Sequence, residues 1–154
     1  MKKRMTLLLA LFLLLSLVGC GGKTEGVPAG EEFTSDGETY VVSHWERKDE
    51  LDSDTETGYT LVFLSTATGM PVSFGVGSME DMQFLLHVNA IVNGEEIELS
   101  SFSAVEDDSA SGYAGRFSFD FAVPTEAGLP QQARFINDNT EDDILLNLEG
   151  LELK

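Results

Sequence analysis

From Phe33 onward the apolar residues of this chain recur at every second position, which confines it to strands half buried against a core. Tyr40 and Val42 open one short strand. Tyr59, Leu61 and Phe63 alternate with Thr60, Val62 and Leu64, so that strand is apolar on both faces and belongs in the middle of a sheet. Val72, Phe74 and Val76 alternate with Ser73, Gly75 and Gly77; Phe117, Phe119, Phe121 and Val123 alternate with Arg116, Ser118, Asp120 and Ala122 until Pro124 closes the run. Asn93-Gly94 is the preferred dipeptide of a type I′ hairpin, because both positions need positive φ. A two-residue loop there pairs Val92 with Glu95, Ala90 with Ile97 and Val88 with Leu99, gathering the apolar residues on one face. His87, Asn89, Glu96, Glu98 and Ser100 take the other face with Ile91, and a slip of one residue would scatter this pattern. Near the end, Ile144, Leu146 and Leu148 are even-numbered but Leu151 and Leu153 are odd, so a β-bulge is expected at Gly150. Met79 to Leu86 has a helix-like spacing, yet Phe84, Leu86, Val88, Ala90 and Val92 continue better as a strand. Seven to nine short strands joined by Gly-rich and acidic turns argue for an all-β, antiparallel sandwich, with a closed barrel as the second architecture.

The residues before this pattern carry a different signal. Lys2, Lys3 and Arg4 precede an apolar run, Leu7 to Val18, broken only by Ser16, and a small residue precedes Cys20. This is the layout of a secretory signal, and the run is too short for a membrane-crossing helix, which needs about 20 apolar residues. The ending Leu17-Val18-Gly19-Cys20 resembles the lipobox of bacterial lipoproteins. The resemblance implies recognition of Leu17, Val18 and Gly19, removal of residues 1–19, and a diacylglyceryl group on the Cys20 sulfur. Two acyl chains anchor stably where one does not, so the expected location is the outer face of the cytoplasmic membrane, anchored and not spanning. Cys20 is the only cysteine, so the mature domain must fold on its core without a disulfide. Residues 20–32, with the Gly- and Glu-rich stretch GGKTEGVPAGEE, read as lipidated cysteine and flexible tether. Residues 33–154 read as one sandwich domain.

Charge narrows the partners. The formal net charge is −18, and loss of Lys2, Lys3 and Arg4 with the leader takes it to −21. Such a domain is repelled by phosphate backbones, which excludes nucleic-acid binding. The same charge favours solubility, cations or a basic partner.

Three acidic clusters are candidate cation sites: Asp49 to Glu56, Glu106 to Asp108, and Asn137 to Asp143. Calcium takes six to eight oxygens from loops. Asp52-x-Asp54-x-Glu56 begins like an EF-hand, but Thr57 stands where Gly is needed and Phe63 where Glu is needed. The third cluster is the favoured calcium candidate, through Asp138, Asn139, Glu141, Asp142 and Asp143, because mixed amides and carboxylates repel each other less. The ordinary reading of all three is solvated loop charge. His87, near Glu98, and His44, beside Trp45 and Glu46, would form a metal site only by converging with a carboxylate; otherwise they are surface histidines. No Gly-x-Ser-x-Gly elbow is present, and Gly75-Val76-Gly77 is too short for a phosphate-binding loop. A non-catalytic chain without a cofactor is the expectation. Tyr40, Trp45, Tyr59 and Tyr113 are the aromatics with a polar handle for stacking on a sugar.

The lipobox, the tether, the Gly37-x-x-Tyr40-x-Val42 strand, Phe119-Asp120-Phe121-Ala122-Val123-Pro124, the acidic turn Asn137 to Asp143 and the Leu-rich ending together resemble one class. That class is the small surface lipoproteins of Gram-positive bacteria with a telokin-like, immunoglobulin-like domain. The resemblance implies an immunoglobulin-like sandwich and supplies no catalytic motif. The expected function is a lipid-anchored module that binds an envelope protein, with a calcium- or small-ligand-binding module as the alternative and an enzyme third.

Overall fold

The computed structural model describes residues 26–67, 72–74, 82–84, 86–106 and 112–154. The signal residues Leu17, Val18, Gly19 and Cys20 lie outside them. Sheet A orders its strands β1 (Val27–Pro28), β12 (Asp142–Asn147), β11 (Gln132–Asn137), β7 (Leu86–Val92) and β8 (Glu95–Ile97). Sheet B orders β2 (Glu32–Ser35), β3 (Glu38–Arg47), β4 (Glu56–Ser65), β10 (Gly115–Pro124) and β9 (Ser101–Glu106). β5 (Val72–Phe74) and β6 (Met82–Phe84) pair as a separate hairpin. The chain is thus an all-β sandwich. The twelve strands among the described residues exceed the expected seven to nine, in part because short segments such as β1 and β6 count as strands of their own.

One core joins the two sheets. Phe33, Tyr40, Trp45, Leu61 and Phe63 of sheet B, with Phe117, Phe119 and Phe121, pack against Val88, Ala90, Ala133, Phe135 and Leu146 of sheet A. Phe135 lies 5.0 Å, ring to ring, from both Phe33 and Tyr40, so aromatic contacts cross the interface. As expected from its two apolar faces, β4 is central, between β3 and β10, with Leu61, Val62 and Phe63 all buried.

The hairpin forms where the dipeptide places it. Asn93 and Gly94 have φ of 53° and 84°, and Val92 pairs with Glu95 and Ala90 with Ile97. The ladder stops at Ile97, so the expected Val88–Leu99 pair is not part of it. Instead the chain leaves sheet A, and Ser100 N–H donates to Asp120 O (2.7 Å) as β9 joins the edge of sheet B.

Three local features differ from the sequence reading. The phase change near Gly150 is a turn, not a bulge: Gly150 has φ 79°, and Leu151 N–H donates to Leu148 O. That turn carries the chain out of sheet A and across to β3, where Trp45 N–H donates to Glu152 O and Lys154 N–H donates to Trp45 O. A bulge does occur in β3, at Val42/His44, and moves the inward phase from Tyr40 and Val42 to Trp45. Finally, Val27 and Pro28 pair in parallel with Leu146 and Asn147. The later part of the stretch read as tether is therefore a strand of the domain.

Candidate functional site

The third acidic cluster sits in the turn between β11 and β12 and at the start of β12, and strand alternation disperses it. Asn137, 2% exposed, ends β11 facing inward, where its Nδ2 donates to Ser35 Oγ (2.9 Å) across the sandwich. Ser35 Oγ donates in turn to Asp142 Oδ2 (2.7 Å), which also accepts from Thr140 Oγ1 (2.6 Å). Asn137 Oδ1 accepts from Asn139 N–H, and Asn139 Nδ2 donates to Asp36 Oδ2 (2.7 Å). Hydrogen bonds from Thr140 and then Ser35 hold the Asp142 carboxyl below its ordinary pKa. This chain of bonds ties β2 of sheet B to β11 and β12 of sheet A.

Asp143, the next residue, belongs to the opposite, outward face, where Arg134 Nη1 donates to both its oxygens (2.8 and 3.1 Å). Asp138 pairs with His87 on the far side of β11, Oδ2 to Nε2 at 3.0 Å. Glu141 is exposed at φ 59°. Asp138, Asn139, Asp142 and Asp143 therefore aim at separate partners rather than one centre. Among the described residues no three His, Asp or Glu side chains gather closely enough to hold a metal ion.

In the first cluster Asp49 and Asp52 are paired, and most of the second lies outside the described residues. Arg47 Nη2 bridges Asp49 and Asp52 (3.3 and 2.7 Å), and Asp52 Oδ1 accepts from Gly58 N–H (2.7 Å), which closes the loop from β3 to β4. Asp107 and Asp108 lie outside the described residues. The two histidines do not converge, because His44 is on sheet B and His87 on sheet A. Trp45 and Tyr40 are buried in the core, which removes two of the four aromatics considered for a sugar platform, whereas Tyr59 and Tyr113 are partly exposed.

A polar string on sheet B was not foreseen. Ser43 Oγ lies 2.8 Å from His44 Nδ1, His44 Nε2 lies 3.0 Å from Glu46 Oε1, and Arg116 Nη2 donates to the same oxygen (2.7 Å). The His44 hydrogen bond first, and Arg116 after it, keep the Glu46 carboxyl below its ordinary pKa. The clue was the adjacency Ser43-His44-x-Glu46; the bulge that turns His44 outward was invisible. With Glu46 paired to a guanidinium, the string ends in an ion pair and serves to hold β3 to β10.

The outer face of sheet A gathers most of the remaining candidates. Register puts Ile91, Gln132 and Asn147 in one row, Asn89, Arg134 and Leu145 in the next, and His87, Ile136 and Asp143 in the third. Glu96 of β8 joins the first row beside Ile91 and accepts from Asn89 Nδ2 (2.9 Å). Arg134 Nε lies 2.9 Å from Glu96 Oε1, an ion pair whose N–H is not aimed at the oxygen. At one corner a shallow hollow of about 460 Å³ is lined by His87, Asn89, Glu98, Leu99, Ile136 and Asp138. At the other end, beside the hairpin tip, an open groove of similar size is lined by Asn93, Leu129, Gln131, Gln132 and Asn147 among others. Both are open surface features suited to recognising a side chain rather than enclosing a substrate. The chain matches no family model, no curated protein and no solved structure.

Proposed function

We propose that this chain is a lipid-anchored, extracytoplasmic, non-catalytic binding module of the cell envelope, like the small Gram-positive surface lipoproteins it resembles. The observation that carries the reading is the Leu17-Val18-Gly19-Cys20 motif placed just ahead of a folded β-domain. Only six residues separate Cys20 from Val27, the first of the described residues paired in sheet A. Fully extended, that length of chain reaches about 25 Å. An acylated Cys20 would therefore hold the sandwich close to the bilayer, while a charge of −21 opposes its lying down on anionic headgroups. The open hollow and groove on sheet A suit contact with a protein surface.

Cross-linking of the full chain in intact cells tests the reading. One envelope protein joined to the wild-type chain, and lost when Cys20→Ser removes the anchor, is the expected result. A Cys20→Ser chain that stays in the membrane fraction with unchanged cross-links would contradict it.

A further inference from the structure

We infer that the outer face of sheet A is a docking surface for a cationic segment of a partner protein, one of whose lysine or arginine side chains enters the hollow beside His87. The inference rests on the binding-module reading and adds the chemistry of the partner. Its first support is the composition of the face. The outward side of an antiparallel sheet that meets only water is ordinarily polar, yet Ile91, Ile136 and Leu145 lie on it, one in each row, all partly exposed. Around them stand Glu96, Glu98, Asp138 and Asp143. Arg134 is the cation set among them, and it is already shared between Glu96 and Asp143. An apolar centre inside an anionic surround complements a segment that alternates apolar and basic side chains.

The hollow supplies the specific contact. Glu98 and Asp138 line it together with the apolar residues Leu99 and Ile136 and with Asn89. Its carboxylates do not close on a point, so it does not suit a small metal ion. A lysine or arginine needs the wider arrangement: an apolar wall along the aliphatic stem and carboxylates at the charged end. Among the described residues His87 is the partner of Asp138, through one carboxylate oxygen, which leaves lone pairs for a donor from outside.

The charge of the chain also selects against a second copy as the occupant. β8, the edge strand beside this face, carries Glu95 and Glu96, and two chains of −21 would bring like charges together along it. A basic segment meets the opposite situation.

The test uses the full chain purified from membranes in a non-ionic detergent. The probes are a fluorescent peptide of alternating lysine and valine and its glutamate–valine counterpart, followed by anisotropy at low and moderate salt. The lysine peptide is expected to bind with salt-sensitive affinity and the glutamate peptide not to bind. Glu98→Gln with Asp138→Asn should weaken binding at least tenfold, and Ile136→Ser several-fold. Asp54→Asn with Glu56→Gln, which removes the same charge from a distant loop, should change it less than twofold. Equal weakening by the two double variants would overturn the proposal, since it would reduce the effect to overall charge. Failure of the lysine peptide to bind would overturn it as well. If the envelope cross-link persists in the Glu98→Gln, Asp138→Asn chain, the docking face is wrong while the binding-module reading stands. If no cross-link forms with the wild-type chain, the module reading itself fails.

Discussion

Replacing Ser35 with alanine removes the hydroxyl through which the two sheets are tied at the acidic end. Ser35 and Asn137 are each 2% exposed, and Ser35 Oγ is the acceptor of the Asn137 Nδ2 hydrogen bond. The variant leaves that amide N–H buried without its acceptor, which costs about 1–3 kcal/mol. For a domain of this size that lowers the thermal midpoint by about 4–12 °C. Circular dichroism melts of wild type and Ser35→Ala at neutral pH measure the loss. Repeating both melts in calcium separates a structural tie from a cation site, because the tie predicts the same loss with and without the ion. The variant also removes one of the two hydroxyls holding the Asp142 carboxyl below its ordinary pKa. A depressed carboxylate contributes stability above its unfolded pKa and loses it as pH falls through the folded one. The gap between wild type and variant should therefore narrow as the pH drops below the ordinary carboxylate range. A loss under about 0.5 kcal/mol, within the range of ordinary surface substitutions, would refute the reasoning that this buried amide depends on the Ser35 hydroxyl.

Gly58→Ala should destabilise by about 3 kcal/mol, near the upper end for single substitutions, because its Cβ would fall 2.0 Å from the Lys48 carbonyl oxygen; urea unfolding at wild-type stability would contradict this. Trp45→Ala removes a fully buried ring packed edge-on against Tyr59 and Phe121, and should cost about 3–5 kcal/mol in the same assay. Gly94→Ala places a Cβ at φ 84° and should cost about 1–2 kcal/mol while leaving the hairpin register intact by amide exchange. Glu46 also has a depressed carboxyl, so Glu46→Gln should lower stability at neutral pH and converge on wild type as acid protonates Glu46; parallel curves down to strong acid would refute the pairing.

What the sequence revealed and what it hid divide along physical lines. The Asn93-Gly94 turn was legible because positive φ at two adjacent residues is a local demand, and the register followed from which face must be buried. The central place of β4 was legible because Leu61, Val62 and Phe63 leave no face for water. The two phase changes look alike in the sequence and differ in the fold. Val42 to Trp45 is as clear a break in period two as Leu148 to Leu151, yet one is a bulge and the other a turn to the opposite sheet. The difference lies in the edge of β3 at Trp45, which β2 leaves uncovered and the C-terminal residues pair with, a long-range feature that no local pattern encodes. The site was less legible still. Asn137 to Asp143 reads as a single acidic patch along the chain, but pleat alternation sends Asp142 inward to Ser35 and Asp143 outward to Arg134. The pairing of Asp138 with His87 joins residues 51 positions apart, and only the β7–β11 register brings them together.

The central claim, a sandwich anchored by lipid at Cys20, meets its most direct test in the intact mass of the mature chain extracted from bacterial membranes. Lipid anchoring predicts a protein that begins at Cys20, lacks residues 1–19, and carries the added mass of a diacylglyceryl group lost in Cys20→Ser. A chain that retains its first 19 residues, or one cut elsewhere with an unmodified Cys20, would contradict it.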